Sequence, residues 1–161
     1  MQKIYERGNN VSIQIKSGDV LQADVNIIVH QVNCMGVMGS GIAKQIRDKY
    51  PKVYKEYAEK CQKMAKYRSL MLGDVLYTQI APDKFVASVF GQLTYGWVGQ
   101  YTNIKAFRMG LINLKTYAEQ NNYSIAFPYG IGCGRGGADW NVVNKIIEDI
   151  FHDMDVEIWK I

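Results

Sequence analysis

The chain has 161 residues, of which 48% are hydrophobic and 21% charged, and its formal net charge is +4. This length predicts a single domain spanning residues 1–161, and this composition excludes a disordered, collagen-like or disulfide-stapled chain. No apolar run approaches the roughly 20 residues of a membrane span, and the N-terminal segment lacks the apolar core of a signal peptide. Three cysteines lie far apart with no CxxC or Cys/His cluster, so we expect a cytoplasmic protein without a metal or other cofactor.

Positive charge is concentrated in residues 44–68, which hold nine Lys or Arg against three Asp or Glu. Such a stretch can attract phosphates, nucleic acid or an anionic membrane. Its basic residues recur at loose helical spacing, which favours a solvated helix face. We therefore infer no specific recognition of DNA or RNA from it.

The first part of the chain predicts two strands and a helical stretch. Residues 11–15 alternate apolar and polar side chains, as a half-buried strand does, and residues 25–29 form a nearly continuous apolar run typical of a buried strand. Three glycines between positions 36 and 41 then interrupt the pattern. Residues 41–61 follow with a helical pattern that is broken near Pro51.

The rest of the chain alternates between predicted strands and amphipathic helices. Strands are predicted over residues 74–79, 85–90, 124–128 and 156–159, and helices over residues 104–119 and 140–151. Strands that alternate with helices predict a three-layer α/β domain with a parallel or mixed sheet.

Two glycine-rich loops, residues 33–43 and 129–140, each follow a predicted buried strand and lead into a helix. Open α/β sheets bind ligands at that place. A helix that starts near Ser40 presents unpaired N–H groups suited to a phosphate, although a plain turn with Ser40 as the N-cap is the alternative. The second loop holds five glycines between Gly130 and Gly137, and backbone packed against a ligand is the simplest reason for them.

The segments ADVNIIVHQVNCMGVMGSGIAKQIRDKYP, SIAFPYGIGCGRGGADW and DVEIWKI resemble the macrodomain family, over nearly all of the chain from Val11 to Ile161. The resemblance implies an α/β fold, a three-layer α/β/α sandwich with a mixed sheet, that binds ADP-ribose between its two glycine-rich loops. Within the family the chain looks similar to small bacterial or phage members related to ADP-ribose 1″-phosphate phosphatases. It also resembles the branch of ADP-ribosyl-glutamate hydrolases.

The resemblance assigns roles along the ligand. Asp19 would accept a hydrogen bond from the adenine amine, with the Val20 backbone beside it, and Asn33 would lie near the distal ribose. Residues 39–42 of the first loop would contact the diphosphate or the distal ribose, and residues 132–135 of the second loop would wrap the diphosphate. The implied ligand-binding residues are Asp19, Val20, Asn33, Gly39, Ser40, Gly41, Ile42, Gly130, Ile131, Gly132, Cys133, Gly134 and Arg135.

The chain departs from the glutamate-linkage hydrolases at two positions. Their lysine aligns with Gln92 and their loop aspartate falls near Gly136, with Asp139 the nearest carboxylate. Without a lysine, a covalent Schiff-base route has no amine. The departure weakens the glycohydrolase hypothesis and favours a phosphatase or a pure binder.

The candidate catalytic residues are Asp139, His30 and Asn33, and two of them have a structural alternative. Asp139 is either a general base beside the distal ribose or the N-cap of the helix that follows. His30, at the end of the predicted strand, is either a proton donor or phosphate ligand or a hydrogen-bonded core histidine, and the core role is favoured. For Cys34 and Cys133, packing is favoured over nucleophilic attack.

The segment LTYGWVGQY contains three aromatic residues, Tyr95, Trp97 and Tyr101. It is either a mobile flap over the ligand or a surface loop.

The leading functional hypothesis is a monomer that binds ADP-ribose and hydrolyses the phosphate of ADP-ribose 1″-phosphate, with no membrane partner. The alternatives are a non-catalytic reader of ADP-ribose and a hydrolase that removes ADP-ribose from protein or nucleic acid.

Overall fold

A computed structural model of the chain describes residues 3–7 and 11–161. Two short 3₁₀ turns, Val20–Gln22 and Arg68–Met71, accompany the main elements. The strands are β1 (Lys3–Arg7), β2 (Val11–Ser17), β3 (Ile27–Asn33), β4 (Val75–Ala81), β5 (Lys84–Gln92), β6 (Ile125–Pro128) and β7 (Val156–Lys160). The helices are α1 (Gly41–Lys49), α2 (Pro51–Lys63), α3 (Ile104–Asn121) and α4 (Trp140–Ile150).

The described strands form one sheet in the order β1-β2-β7-β6-β3-β5-β4. Strands β2, β7, β6, β3 and β5 run parallel to one another, whereas β1 and β4 pair antiparallel at the two edges. The predicted mixed sheet is therefore confirmed. Since parallel strands end at the same edge, the carboxyl ends of these five strands lie side by side.

Helices cover both faces of the sheet, because the central strands bury side chains on both. In β3, Ile27 and Val29 enter the core under α3 and α4, where they join Phe107 and Leu111. Their neighbours Ile28 and Val32 enter the opposite core with residues of α1 and α2, namely Ile46, Val53 and Tyr57. This alternation produces the expected three-layer α/β/α sandwich. No helix in the described part of the chain is long and apolar enough to cross a membrane.

Several element boundaries differ from those predicted from the sequence. Strand β3 begins at Ile27 rather than at residue 25 and continues to Asn33. The predicted helix over residues 41–61 is two helices separated at Tyr50, because Pro51 occupies the first turn of α2. Strand β1 was not predicted, and it is defined by its antiparallel pairing with β2.

The pairing of β3 with β5 contains a register shift at its carboxyl end. Val32 pairs with Phe90, but the next residue, Asn33, pairs with Gln92, which leaves Gly91 as an extra residue in β5. Bulges of this kind reverse the alternation of side chains beyond them. The shift therefore lies at the carboxyl ends of the parallel strands, from which the two glycine-rich loops begin.

Candidate functional site

A cavity of about 720 Å³ opens at the carboxyl ends of the five parallel strands, between the two glycine-rich loops. Its size falls within the ordinary range for small-molecule sites. All but one of the ligand-binding residues predicted from the sequence line it. They are Asp19, Val20, Asn33, Gly39, Ser40, Gly41, Ile42, Gly130, Ile131, Gly132, Gly134 and Arg135.

One end of the cavity is built where β2 and β7 finish. The Asp19 carboxylate accepts a hydrogen bond from the Leu21 N–H at 2.9 Å and thereby caps the turn Val20–Gln22. Gly18 has a positive φ of 130° and packs against the Trp159 ring, where a side chain would crowd the indole. Trp159 and Lys160 also line the cavity, and the sequence pattern did not indicate either of them.

The first loop takes its shape from two buried polar side chains. The Tyr57 hydroxyl lies 2.8 Å from both oxygens of Asn33 and accepts hydrogen bonds from the Gly36 and Val37 N–H groups at 3.1 Å. The Asn33 amide donates to the Val37 carbonyl at 2.8 Å, and its oxygen accepts from the Met35 N–H at 2.9 Å. Burial raises the pKa of Tyr57, so its hydroxyl stays neutral and able to donate.

Beyond this anchored part, the loop presents unpaired donors to the cavity. Ser40 occupies the N-cap position of α1, as the sequence indicated, but its hydroxyl makes no capping hydrogen bond. The first turn of α1 contains no acidic residue, so its partial positive charge is not neutralised there. Within the described chain, N–H groups without an acceptor run from Gly39 to Ala43.

The second loop is held mainly by its own backbone. Two tight turns form because the Ile131 N–H donates to the Pro128 carbonyl and the Cys133 N–H donates to the Gly130 carbonyl. Four other N–H groups of the loop have no acceptor among the described residues. These are the N–H groups of Gly132, Gly134, Arg135 and Gly136.

An amide network forms the cavity floor near the end of β5. The Gln31 amide donates to Gln92 Oε1 and to Thr102 Oγ1, each at 2.7 Å, and Thr102 in turn donates to the Gly132 carbonyl at 2.8 Å. The Gln92 amide donates to the Thr94 carbonyl at 2.8 Å. Gln92, where the sequence resemblance places the lysine of the hydrolases, lines the cavity and offers no amine. Gln31 was missed because nothing in its sequence context distinguishes it from an ordinary strand residue.

Three of the predicted catalytic and ligand-binding residues do not line the cavity, and His30 is one of them. Strand β3 continues past His30, so this side chain is fully buried in the core with Nε2 2.7 Å from Ser88 Oγ. Burial lowers its pKa to about 3, so it stays neutral. The structure places His30 in the core, and not at the end of a strand as the sequence suggested.

Asp139 and Cys133 are the other two. The Asp139 carboxylate accepts from the Asn141 N–H at 2.8 Å and caps α4, which is the structural alternative considered from the sequence. The Cys133 thiol lies 3.4 Å from the Ile131 carbonyl, and burial raises its pKa to about 11. A thiol with such a pKa is a poor nucleophile near neutral pH.

Two cations and one acidic side chain line the described part of the cavity, namely Arg135, Lys160 and Asp19. The Arg135 guanidinium stacks on the Trp97 ring at 3.2 Å, and the Lys160 ammonium lies 4.6 Å from the centre of the Tyr129 ring. The described residues contain no cluster of three or more His, Cys, Asp or Glu able to hold a metal ion. Together with the unpaired N–H groups, these charges suit an anionic ligand.

Comparison with known proteins identifies the family. A Mycobacterium tuberculosis protein named DNA ADP-ribosyl glycohydrolase is 31% identical over 150 residues, covering 89% of this chain but only 40% of that protein. A Saccharomyces cerevisiae protein named ADP-ribose 1″-phosphate phosphatase is 26% identical over 180 residues, covering 93% of this chain and 99% of that protein. The macrodomain of Thermus aquaticus DarG superposes with a TM-score of 0.75 at 25% identity, covering 92% of this chain and 96% of that one. Because the family model described as Macro domain matches residues 29–147, the chain belongs to the Macro domain family.

Proposed function

We propose that this chain binds ADP-ribose and hydrolyses the phosphate ester of ADP-ribose 1″-phosphate. The observation that carries the proposal is the pair of loops that present unpaired N–H groups from both sides of one cavity. Backbone N–H groups at a helix N-terminus and in a glycine-rich loop bind phosphate oxygens. A diphosphate between the loops satisfies donors of both at once.

The strand order supports one orientation of the ligand in the cavity. Five adjacent strands end along the cavity, and at about 4.8 Å per strand the distance from β2 to β5 is roughly 19 Å. Asp19 follows β2 and accepts a hydrogen bond from the adenine amine at one end. The distal ribose then lies at the other end, beside Asn33, Gln31 and Gln92.

Two observations favour phosphatase chemistry over glycosidic cleavage. The match to the yeast phosphatase covers nearly the whole of that protein, and Gln92 supplies no amine for a Schiff base. In the hydrolysis, the oxygen of water attacks phosphorus while the bond from phosphorus to the C1″ oxygen breaks, which releases inorganic phosphate and ADP-ribose. Phosphoryl transfer leaves little covalent chemistry to the protein, so preformed N–H donors stabilise the developing charge.

A second candidate is removal of ADP-ribose from a macromolecule. It is favoured by the 31% identity to a protein named DNA ADP-ribosyl glycohydrolase. In that case an ADP-ribosylated nucleic acid or protein is the partner. A reader that binds ADP-ribose without hydrolysis is the third candidate.

We further propose that the protein acts as a monomer in the cytoplasm. Light scattering tests whether it is a monomer.

The deciding experiment offers the protein three substrates in parallel: ADP-ribose 1″-phosphate, ADP-ribosylated protein and ADP-ribosylated DNA. We expect phosphate release from the first and no ADP-ribose release from the others. Release of ADP-ribose from DNA or protein selects the second candidate instead. Calorimetry with free ADP-ribose checks binding, and the absence of both heat and thermal stabilisation contradicts all three candidates.

The orientation of the ligand is tested with Asp19→Ala. Loss of a charged hydrogen-bond acceptor at the adenine is expected to weaken ADP-ribose binding by about 1.5–3 kcal/mol. Asp24→Ala is the matched control, because Asp24 is an exposed carboxylate outside the cavity. Equal affinity of Asp19→Ala and the wild-type protein contradicts the adenine assignment.

A further inference from the structure

Arg135 and Trp97 form a stacked pair at the mouth of the cavity. The guanidinium carbon lies 3.2 Å from the centre of the Trp97 ring. Trp97 is 82% exposed, so its indole packs against the guanidinium and not in the hydrophobic core. Within the described chain, no carboxylate forms an ion pair with Arg135. Stacking occupies the face of the guanidinium and leaves the N–H groups at its edge able to donate.

This pair is fastened to the β5 end of the cavity. Residue Gly136, next to Arg135, accepts hydrogen bonds from the Tyr101 and Thr102 N–H groups at 2.7 and 2.9 Å. Thr102 also pairs with Gln92, the last residue of β5. Arg135 therefore lies at the opposite end of the strand series from Asp19, which follows β2.

The other cation of the cavity belongs to the Asp19 end. The carbonyl of Lys160 accepts from the Gly18 N–H at 2.9 Å, and its ammonium packs over Tyr129. The two loops follow β6 and β3, the strands in the middle of the series, and their unpaired N–H groups at residues 39–43, Gly132 and Gly134 suit a diphosphate there. Arg135 is thus a further anion-binding group, beyond the diphosphate and at the distal-ribose end.

We propose that Arg135 binds the phosphate carried on C1″ of the distal ribose and sets a preference for ADP-ribose 1″-phosphate over free ADP-ribose. Trp97 acts as a positioning residue, because its ring fixes the plane of the guanidinium. A guanidinium held in one plane matches two phosphate oxygens in a bidentate contact. This inference rests on the proposed function and gives it a specificity determinant distinct from the loop backbone.

The test compares two ligands that the protein does not consume. One is ADP-ribose, and the other is its 1″-phosphonate, in which a methylene group replaces the ester oxygen between C1″ and phosphorus. Calorimetry is expected to give wild-type protein a preference of about tenfold or more for the phosphonate, as one charge-assisted contact provides. Arg135→Gln is expected to lose that preference, whereas Lys160→Gln, the control for a cavity cation at the other end, retains it.

The role of Trp97 is tested through the same ratio of affinities. Trp97→Leu keeps apolar bulk but loses the aromatic face, so the preference is expected to fall by about threefold or more. Trp97→Phe restores an aromatic face and is expected to recover most of it. In the double variant with Arg135→Gln, the Trp97→Leu change is expected to have no further effect on the ratio.

The outcomes separate this inference from the proposed function. If Arg135→Gln weakens both ligands by the same factor, Arg135 binds the diphosphate and the inference is wrong. If the variant keeps the phosphonate preference, another group reads the 1″-phosphate and the inference is also wrong. If wild-type protein binds neither ligand, the proposed function itself fails. Thermal denaturation verifies that each variant is folded before its affinities are compared.

Discussion

The two glycine-rich loops face each other across one cavity, but they are held by different means. The first loop is held by hydrogen bonds from the buried side chains of Asn33 and Tyr57. The second loop is held by its own carbonyl groups and by the Thr102 region, with glycine wherever another backbone approaches. The first loop should therefore be sensitive to the loss of side-chain polar groups. The second should be sensitive to the gain of a single methyl group.

The largest effect is expected from Gly137→Ala in the second loop. Gly137 has a positive φ of 73°, and an added Cβ would collide with the backbone of Gly99 and Gln100. A left-handed non-glycine residue costs about 1–2 kcal/mol and overpacking about 1–3 kcal/mol, so the free energy of unfolding should fall by about 2–5 kcal/mol. Gly134→Ala is the control, because no atom lies within 4 Å of its added Cβ. Urea denaturation measures both, and equal stability would refute the backbone account.

The pH dependence of stability tests the buried His30 of β3, the strand that leads into the first loop. His30 has a folded pKa of about 3 and a reference value of 6.5, so the unfolded chain binds the proton more readily. Its contribution to stability is present above about pH 6.5 and is lost as the pH falls toward 3, by about 2 kcal/mol between pH 7 and pH 5. His30→Gln should flatten this part of the profile. An unchanged profile would mean that His30 is not the group that titrates.

Tyr57→Phe tests the side-chain support of the first loop. It removes the hydroxyl that accepts from Gly36 and Val37 and contacts Asn33, so stability should fall by about 1–3 kcal/mol and ADP-ribose should bind more weakly. Tyr54→Phe is the matched control, because the Tyr54 hydroxyl makes one longer hydrogen bond, 3.3 Å to the Gly36 carbonyl. If both variants bind ADP-ribose alike, the loop does not depend on Tyr57.

Asp139→Ala, at the end of the second loop, is expected to give the smallest loss of stability. Loss of the N-cap of α4 should cost about 0.5–2 kcal/mol of stability. Phosphate release per folded molecule should stay within a few-fold of the wild-type rate, since Asp139 does not line the cavity. Asp139→Asn should restore the cap. A loss of about 100-fold or more in both variants would instead identify a catalytic carboxylate.

Much of the fold was accessible from the sequence because its signals are local. The apolar alternation that predicted the strands is the same alternation that fills the two cores, and glycine clusters mark the two turns correctly. The end of β3 was not accessible, since His30 and Gln31 are polar and are accommodated only by Ser88, Gln92 and Thr102, which are far along the chain. Strand β1 was missed for a related reason, because its pairing with β2 defines it.

The candidate site shows the same division. Loop residues such as Gly39 and Gly132 were found because their glycines are visible in the sequence, and both line the cavity. The stack of Arg135 on Trp97 was not found, since it joins two loops separated by the whole of α3. His30 and Asp139 were candidates for their chemistry alone. Only the three-dimensional arrangement shows that both side chains are already occupied elsewhere, by Ser88 and by the N-terminus of α4.

Because Gly91 is an extra residue in β5, an insertion or deletion at this point changes which side chain faces the cavity. Uninterrupted alternation would place Gln92 on the face of Phe90, in the core under α1 and α2, whereas the shifted register brings it to Gln31. Deleting one residue here would exchange the side chain on the cavity floor without any substitution. A family built on this sheet can therefore change the chemistry of its site by altering the length of β5, and alignments of this segment must be judged by register as well as by residue identity.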